Sequence, residues 1–342
     1  MKIAAFIDEP VLFSTMNPEE KITLYKRIKK ESNADALAAV ICGEFQQDGF
    51  MTKESKYQRA EYLKKYGVDL VVELPVYCIL NTFDTYAFAS ISTLEKLNCI
   101  DELIILCDGE KEKIETEIKN SLFSESGIYE ENELNRHAVE YGKAIKRIYS
   151  TMKVHFLSVN LDQEKKNSSQ SEENKRLFEN ALWTELKKKI ENIKEPERER
   201  YLNEISGGYL PKTKKILEIY KMNGTFDSLI ENMKLNKNTT EDFRRYMLRA
   251  LVGIRQVEIS ICGLYSYALY VNIFSNEKKN IINVNNHLLD MVNKKSWIPI
   301  ILKNDVMKSG QNNKKDKLDD SRKMLLLIEK NAELLYQRLV NL

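Results

Sequence analysis

A doubly wound α/β domain with a parallel sheet, followed by a mainly helical half, is the architecture the sequence predicts. Three observations lead there. Four short unbroken apolar runs, IAAFI, ALAAVI, VDLVVELP and ELIILCD, fall early in the chain. Segments with helical spacing, such as YQRAEYLKKYG and FASISTLEKL, separate them, which is the alternation of a parallel sheet covered on both faces. From about residue 175 onward helical periodicity dominates.

Taken in order, the runs place strands near residues 2–8, 36–42, 69–73 and 102–107, with PEEKITLYKRIKK as the helix after the first. A helix through NRHAVEYGKAIKRI leads to a fifth strand, KVHFLSVN (153–160). The polar stretch LDQEKKNSSQSEENK has no apolar period and reads as a loop or domain boundary. Helices are then expected in LFENALWTELKKKIENI, TKKILEIYKM, FDSLIENMK and FRRYMLRALVGIRQVEISI. Near the end WIPIILK has the character of a strand, QNNKKDKLDD that of a disordered loop, and SRKMLLLIEKNAELLYQRL that of a last helix. The expected division is 1–165 and 175–342, the final segment packing back on the first domain.

The 342 residues carry 53 Lys+Arg against 51 Asp+Glu, a net charge of only +2, so global charge does not announce nucleic acid. Five cysteines (Cys42, Cys78, Cys99, Cys107, Cys262) lie in or beside apolar stretches with no CxxC pair and read as reduced core residues. Three histidines (His137, His155, His287) leave little for a metal site or a conventional triad, and no metal is expected. The first apolar run meets Asp8 and Glu9 at once, and no run reaches about 18 residues. A soluble, cytoplasmic protein without signal peptide or membrane association is expected, its oligomeric state open.

Open α/β sheets bind ligands in the turns at the strand ends. After the second strand, Gly43 and Gly49 suit a tight loop, Gln46 and Gln47 offer amide donors, and Lys56 and Arg59 lie three apart near the start of the next helix. Such basic residues could grip a phosphate or carboxylate, although spacing alone favours a solvated helix face. The turn after the first strand, IDEPVLFSTMNPEEK, holds neither glycine nor histidine, unlike the usual phosphate-binding turn.

The stretch from Gly43 to Pro75 resembles the bacterial tRNA(Met) cytidine acetate ligase family, in which SGxFxQRGEPAxxxKxxR is followed by GVDLVxELP. Gly43, Phe45, Gln47, Gly49, Lys56, Arg59 and all of GVDLVVELP fall in register. The likeness continues through NTFDTYAFASISTLEKL and NRHAVEYGKAI and returns in KKSWIPIILK and NAELLY. It implies a nucleotidyltransferase-like Rossmann domain with a helical partner domain. It also implies ATP, with Mg²⁺, as cofactor, a small carboxylic acid (acetate, activated as acetyl-adenylate) as substrate, and tRNA as acceptor through its wobble cytidine. Glu9, Gly43, Gln47, Lys56, Arg59 and Asn135 are the nucleotide-binding positions the resemblance assigns.

Departures from the family pattern concentrate at the chemistry. Against the family's EYNPFHNGH, this chain keeps Glu9 and Phe13 but has Ser14 and Asn17 at the two histidine positions and Met16 at the glycine. The family's FGSE becomes Ile105-Leu106-Cys107-Asp108, the arginine of QRG becomes Asp48, and Trp183 stands for the arginine of SATxIR. Asn135 keeps the asparagine of PNNILG. Loss of one preorganised charge stabiliser typically costs about 100-fold or more in rate. The expectation is therefore an eroded catalytic site with a binding or regulatory role. The alternative is an active nucleotidyltransferase or ligase with a remodelled phosphate site and another acid substrate. Basic clusters KRIKK, KKK (187–189), KTKK and FRRYMLR could touch RNA, with Phe243 or Tyr246 available to stack, but their interleaved glutamates favour solvated helix faces.

Overall fold

The computed structural model describes residues 1–8, 13, 16–109, 111–122, 133–159, 172–208, 210–257, 260, 271–274, 284–298, 300–302 and 320–341. In its first half, strands β1 (Ile3–Ile7), β2 (Ala36–Ile41), β3 (Leu70–Glu73), β4 (Glu102–Cys107) and β5 (Lys153–Ser158) alternate with helices. These are α1 (Pro18–Ser32), α2 (Lys56–Lys65), the single turn α3 (Val76–Ile79), α4 (Phe83–Leu97), α5 (Lys111–Asn120) and α6 (Glu133–Arg147). Strands β1 to β5 pair in parallel in the order β5-β4-β1-β2-β3, with Ala5 opposite both Ala38 and Leu103. Every residue of β1 to β4 is buried, which is why these strands read as unbroken apolar runs.

Side-chain alternation divides the sheet into two cores. Phe6, Leu37, Ala39, Val71 and Ile104 pack with Leu24, Tyr25 and Ile28 of α1 and Ala60 and Leu63 of α2. Ala5, Ala38, Val40, Val72 and Ile105 face the opposite way, towards α4, α5, α6 and the helices of the second half. The connections reverse direction between β1 and β4, so the ligand crevice expected of such a sheet lies outside the carboxyl ends of these strands.

The second half contributes α7 (Glu172–Glu191), α8 (Glu195–Glu204), α9 (Leu210–Lys221), α10 (Phe226–Met233), α11 (Lys237–Val252), α12 (Val284–Lys295) and α13 (Asp320–Val340). Thr225 and Asn236 form capping boxes at the starts of α10 and α11, and Gly253 ends α11 in the left-handed region. Two short strands, β6 (Val271–Ile273) and β7 (Ile300–Leu302), extend the sheet to seven. β6 runs antiparallel to β3 and covers what would be its free edge. WIPIILK announced β7, whereas β6, only three residues long, carries no period to read.

Cys42, Cys78, Cys99 and Cys107 are buried and form no disulfide among the described residues, and burial pushes the thiols of Cys99 and Cys107 up to about 12 and about 11. Cys262, most of LDQEKKNSSQSEENK and nearly all of QNNKKDKLDD lie outside the described residues. Among the described residues no helix is long and apolar enough to cross a membrane.

Candidate functional site

After β1, the described residues Phe13, Met16 and Asn17 are all engaged within the fold. Glu9 and Ser14 lie outside the described residues. Phe13 is buried against Phe6 and Tyr25, with ring centroids 6.0 and 5.6 Å away, and Met16 packs on the same cluster. Asn17 caps α1: its Oδ1 accepts from the Glu20 backbone N–H at 3.0 Å, and the Glu20 carboxylate accepts from the Asn17 N–H at 2.8 Å. A helix N-terminus binds anions through free N–H groups. Here Asn17 occupies one donor, Pro18 lacks another, and Glu19 and Glu20 add negative charge to the first turn. Asn17→Ala is expected to cost about 1 kcal/mol, measured as a shift in the urea midpoint; an unchanged midpoint would show that the cap contributes nothing.

The loop after β2 brings Gly43, Lys56 and Arg59 together. A Cβ on Gly43 would stand 3.0 Å from a Glu73 carboxylate oxygen, so glycine lets the strand ends approach closely. Arg59 donates to the Cys42 carbonyl at 2.6 Å and to the Gly43 carbonyl, with Asp8 at 3.8 Å. Its Nε is buried without a hydrogen-bond partner. Burial disfavours the Arg59 charge, but Cys42, Asp8 and Glu44 more than compensate and raise its pKa. Gln47 donates its amide to the Asn81 carbonyl at 3.0 Å, and Asp48 accepts from the Phe50 N–H at 3.0 Å within the same turn.

Lys56 is 1% exposed. Its ammonium lies 2.8 Å from Glu73 on β3 and 2.6 Å from Glu333 on α13. Burial pulls its pKa down, but Glu73, Glu329, Glu333 and Glu44 together hold it well above the usual lysine value. Glu329 also accepts from the buried backbone N–H of Val76. Burial raises the Glu44 carboxyl, partly offset by Lys56. Counting Asp8, five carboxylates thus surround the two cations Lys56 and Arg59. Such a set ties the loop after β2 to β3 and α13 through Lys56; among the described residues no group of acidic or other ligating side chains is placed to hold a metal ion. A triphosphate is held through positive charge and free donors, and here the charge of Lys56 and Arg59 is already matched by these carboxylates.

Asn135 sits at the end of β4, with β1 between it and β2. It accepts from the Asp108 N–H at 2.8 Å and donates to the Asp108 carbonyl at 2.9 Å, pinning α6 to the strand end. His137 is buried and stacked on Phe83, centroids 4.3 Å apart, a packed histidine. Between β1, β4 and α6, a void of about 10 Å³ lined by Ile7, Ile105, His137 and Tyr141 has room for about one water.

The FRRYMLR segment corrects both readings made of it, RNA contact and solvated face. Arg244, Arg245 and Arg249 are buried, as are Phe243 and Tyr246. Arg244 pairs with Glu179 at 2.7 Å and donates to the Asp48 carbonyl at 3.2 Å, Arg245 donates to the Gln47 carbonyl at 3.2 Å, and Arg249 donates to the Leu80 carbonyl at 2.6 Å. Gly49 (φ 85°) allows this docking, since a Cβ there would meet Arg244 Cβ at 3.0 Å. Three arginines therefore clamp the loops after β2 and α3. Trp183 is 1% exposed and donates to the Gly224 carbonyl at 2.9 Å, inside the helical half. Sequence reasoning missed Glu73, Glu329 and Glu333. The signals were Glu73 within GVDLVVELP and Glu333 within NAELLY, both in stretches that carry the resemblance, and the one-turn spacing of Glu329 and Glu333.

Residues 23–163 match the HIGH Nucleotidyl Transferase family. A tRNA(Met) cytidine acetate ligase of Clostridium botulinum (strain Hall) is 37% identical over 89 residues, 25% of this chain and 22% of that protein. One from Clostridium perfringens (strain SM101) is 33% identical over 78 residues, 23% of this chain and 19% of that protein. The chain thus spans about a fifth of the length of the curated relatives it matches. The crystal structure of Thermotoga maritima TmcAL bound with alpha-thio ATP superposes with a TM-score of 0.72 at 16% identity, covering 99% of this chain and 95% of that one. The apo form of the same protein superposes equally well. The chain therefore shares the fold of TmcAL through both halves, and it is similar to the HIGH Nucleotidyl Transferase family over residues 23–163 and to the tRNA(Met) cytidine acetate ligases over about a quarter of its length.

Proposed function

We propose that this chain keeps the acetate ligase scaffold but not its acetate-activating chemistry, and works by binding, with tRNA as the partner. The names of its relatives make ATP, acetate and tRNA(Met) the ligands to consider. The observation that carries the reading is the N-terminus of α1, where Asn17, at a position the resemblance gives to histidine, caps the helix and Glu19 and Glu20 add negative charge. Lys56 supports the same conclusion: four glutamates act on its ammonium, and a triphosphate would face their negative charge.

The test is exchange of labelled pyrophosphate into ATP by the purified chain, with and without acetate. Exchange is expected to stay at background, while filter binding detects tRNA. Robust acetate-dependent exchange would reject the eroded site in favour of an active enzyme with a remodelled phosphate site. Exchange driven only by another carboxylic acid would identify that acid as the substrate.

A further inference from the structure

Helix α13 is docked at points widely spread over the molecule. Glu333 takes the Lys56 ammonium at 2.6 Å and the Tyr57 hydroxyl at 3.3 Å, and Glu329, one turn earlier, takes the Val76 N–H. Asn331 donates to the Val252 carbonyl at 3.0 Å, Tyr336 to the Thr52 carbonyl at 3.3 Å, and Arg338 pairs with Glu185 at 3.2 Å. The apolar anchors are Leu325, Ile328, Ala332, Leu335 and Leu339. On this frame Glu329 is 4% exposed, while the Glu333 side chain keeps 22%. Glu333 thus pairs directly with the buried Lys56 at the strand ends, and Glu329, one turn earlier on the same helix, adds its negative charge to the ammonium's surroundings.

We propose that α13 is an internal anionic ligand of the strand-end crevice: with Glu329 and Glu333 seated at Lys56 a polyanion is excluded, and a polyanion that engages Lys56 must unseat them. The proposal rests on the reading of this crevice as a former triphosphate site. Because both occupants need the same ammonium, the coupling is reciprocal, each weakening the other to the same degree. The carboxylates of Glu44 and Glu73 come from the sheet-end framework itself, whereas those of Glu329 and Glu333 belong to one element and can leave together. The crevice therefore has an occupied and an open state that differ by the seating of a single helix.

Two readouts on the full chain test this, with inorganic pyrophosphate as the probe: calorimetric titration, and hydrogen exchange of residues 320–340. The Glu329→Gln/Glu333→Gln variant is expected to bind pyrophosphate at least about tenfold more tightly than the unmodified chain. Excess pyrophosphate is expected to speed exchange along α13 of the unmodified chain. Equal affinities in two folded proteins, with α13 exchange unmoved, would overturn the proposal. Should the variant not fold, the exchange readout on the unmodified chain decides alone. Absence of pyrophosphate binding in both folded proteins overturns the internal ligand and leaves the eroded-site reading standing. Tight ATP binding by the unmodified chain with α13 released overturns the eroded site and retains the internal ligand, and tight binding with α13 undisturbed overturns both.

Discussion

Lys56→Met is expected to destabilise the chain by about 3–5 kcal/mol, the cost of leaving buried carboxylates without their counter-charge. Glu73 is fully buried and Glu44 and Glu329 nearly so, and all three lose the same ammonium at once. The stem of methionine replaces the packing of the lysine stem, so the loss reports charge more than volume. Adding Glu73→Gln and Glu333→Gln to Lys56→Met should recover a large part of the loss, because a neutral cluster needs no cation. Urea unfolding of the three proteins checks this. A solvated lysine waiting for phosphate predicts the opposite, a change below about 1 kcal/mol.

Trp183→Ala is expected to cost about 3–5 kcal/mol, as for a large aromatic side chain removed from a packed interior. The indole lies with Leu182, Leu186 and Phe226 in the helical half and gives its N–H to the Gly224 carbonyl. Trp183→Arg, the residue that the resemblance aligns here, should be at least as damaging, since it places a charge at a position 1% exposed where the indole N–H meets the Gly224 carbonyl. Thermal unfolding distinguishes the cases. If Trp183→Arg were tolerated while Trp183→Ala was not, this position would be able to present a cation, and its assignment to the core would fail.

How far the sequence could be read depended on the range of each contact. The strands were legible because β1 to β4 are buried on both faces and spell unbroken apolar runs. Lys56, Arg59 and Gly43 were legible as a group because they lie within one loop and the first turn of one helix. The partners of Lys56 were not. Glu73 lies 17 residues away, and Tyr57 meets Glu333 across 276 residues, distances at which periodicity carries no information. The arginines of α11 misled for a related reason. A charged run on a helix usually marks a solvated face, but here the carbonyls of loops after β2 and α3 make a polar surface for buried guanidinium groups. Asn17 was read as a missing histidine, although the pattern Asn17-Pro18-Glu19-Glu20 is itself a helix-capping signature.

Titration calorimetry of the unmodified chain with ATP, alone and with Mg²⁺, tests most directly whether the crevice has passed from nucleotide to carboxylates. A chain whose Lys56 is held by Glu73 and Glu333 should give no saturable heat, corresponding to a Kd weaker than about 1 mM. Saturable one-site binding with a Kd of about 10 µM or tighter, lost in Arg59→Ala, would contradict it.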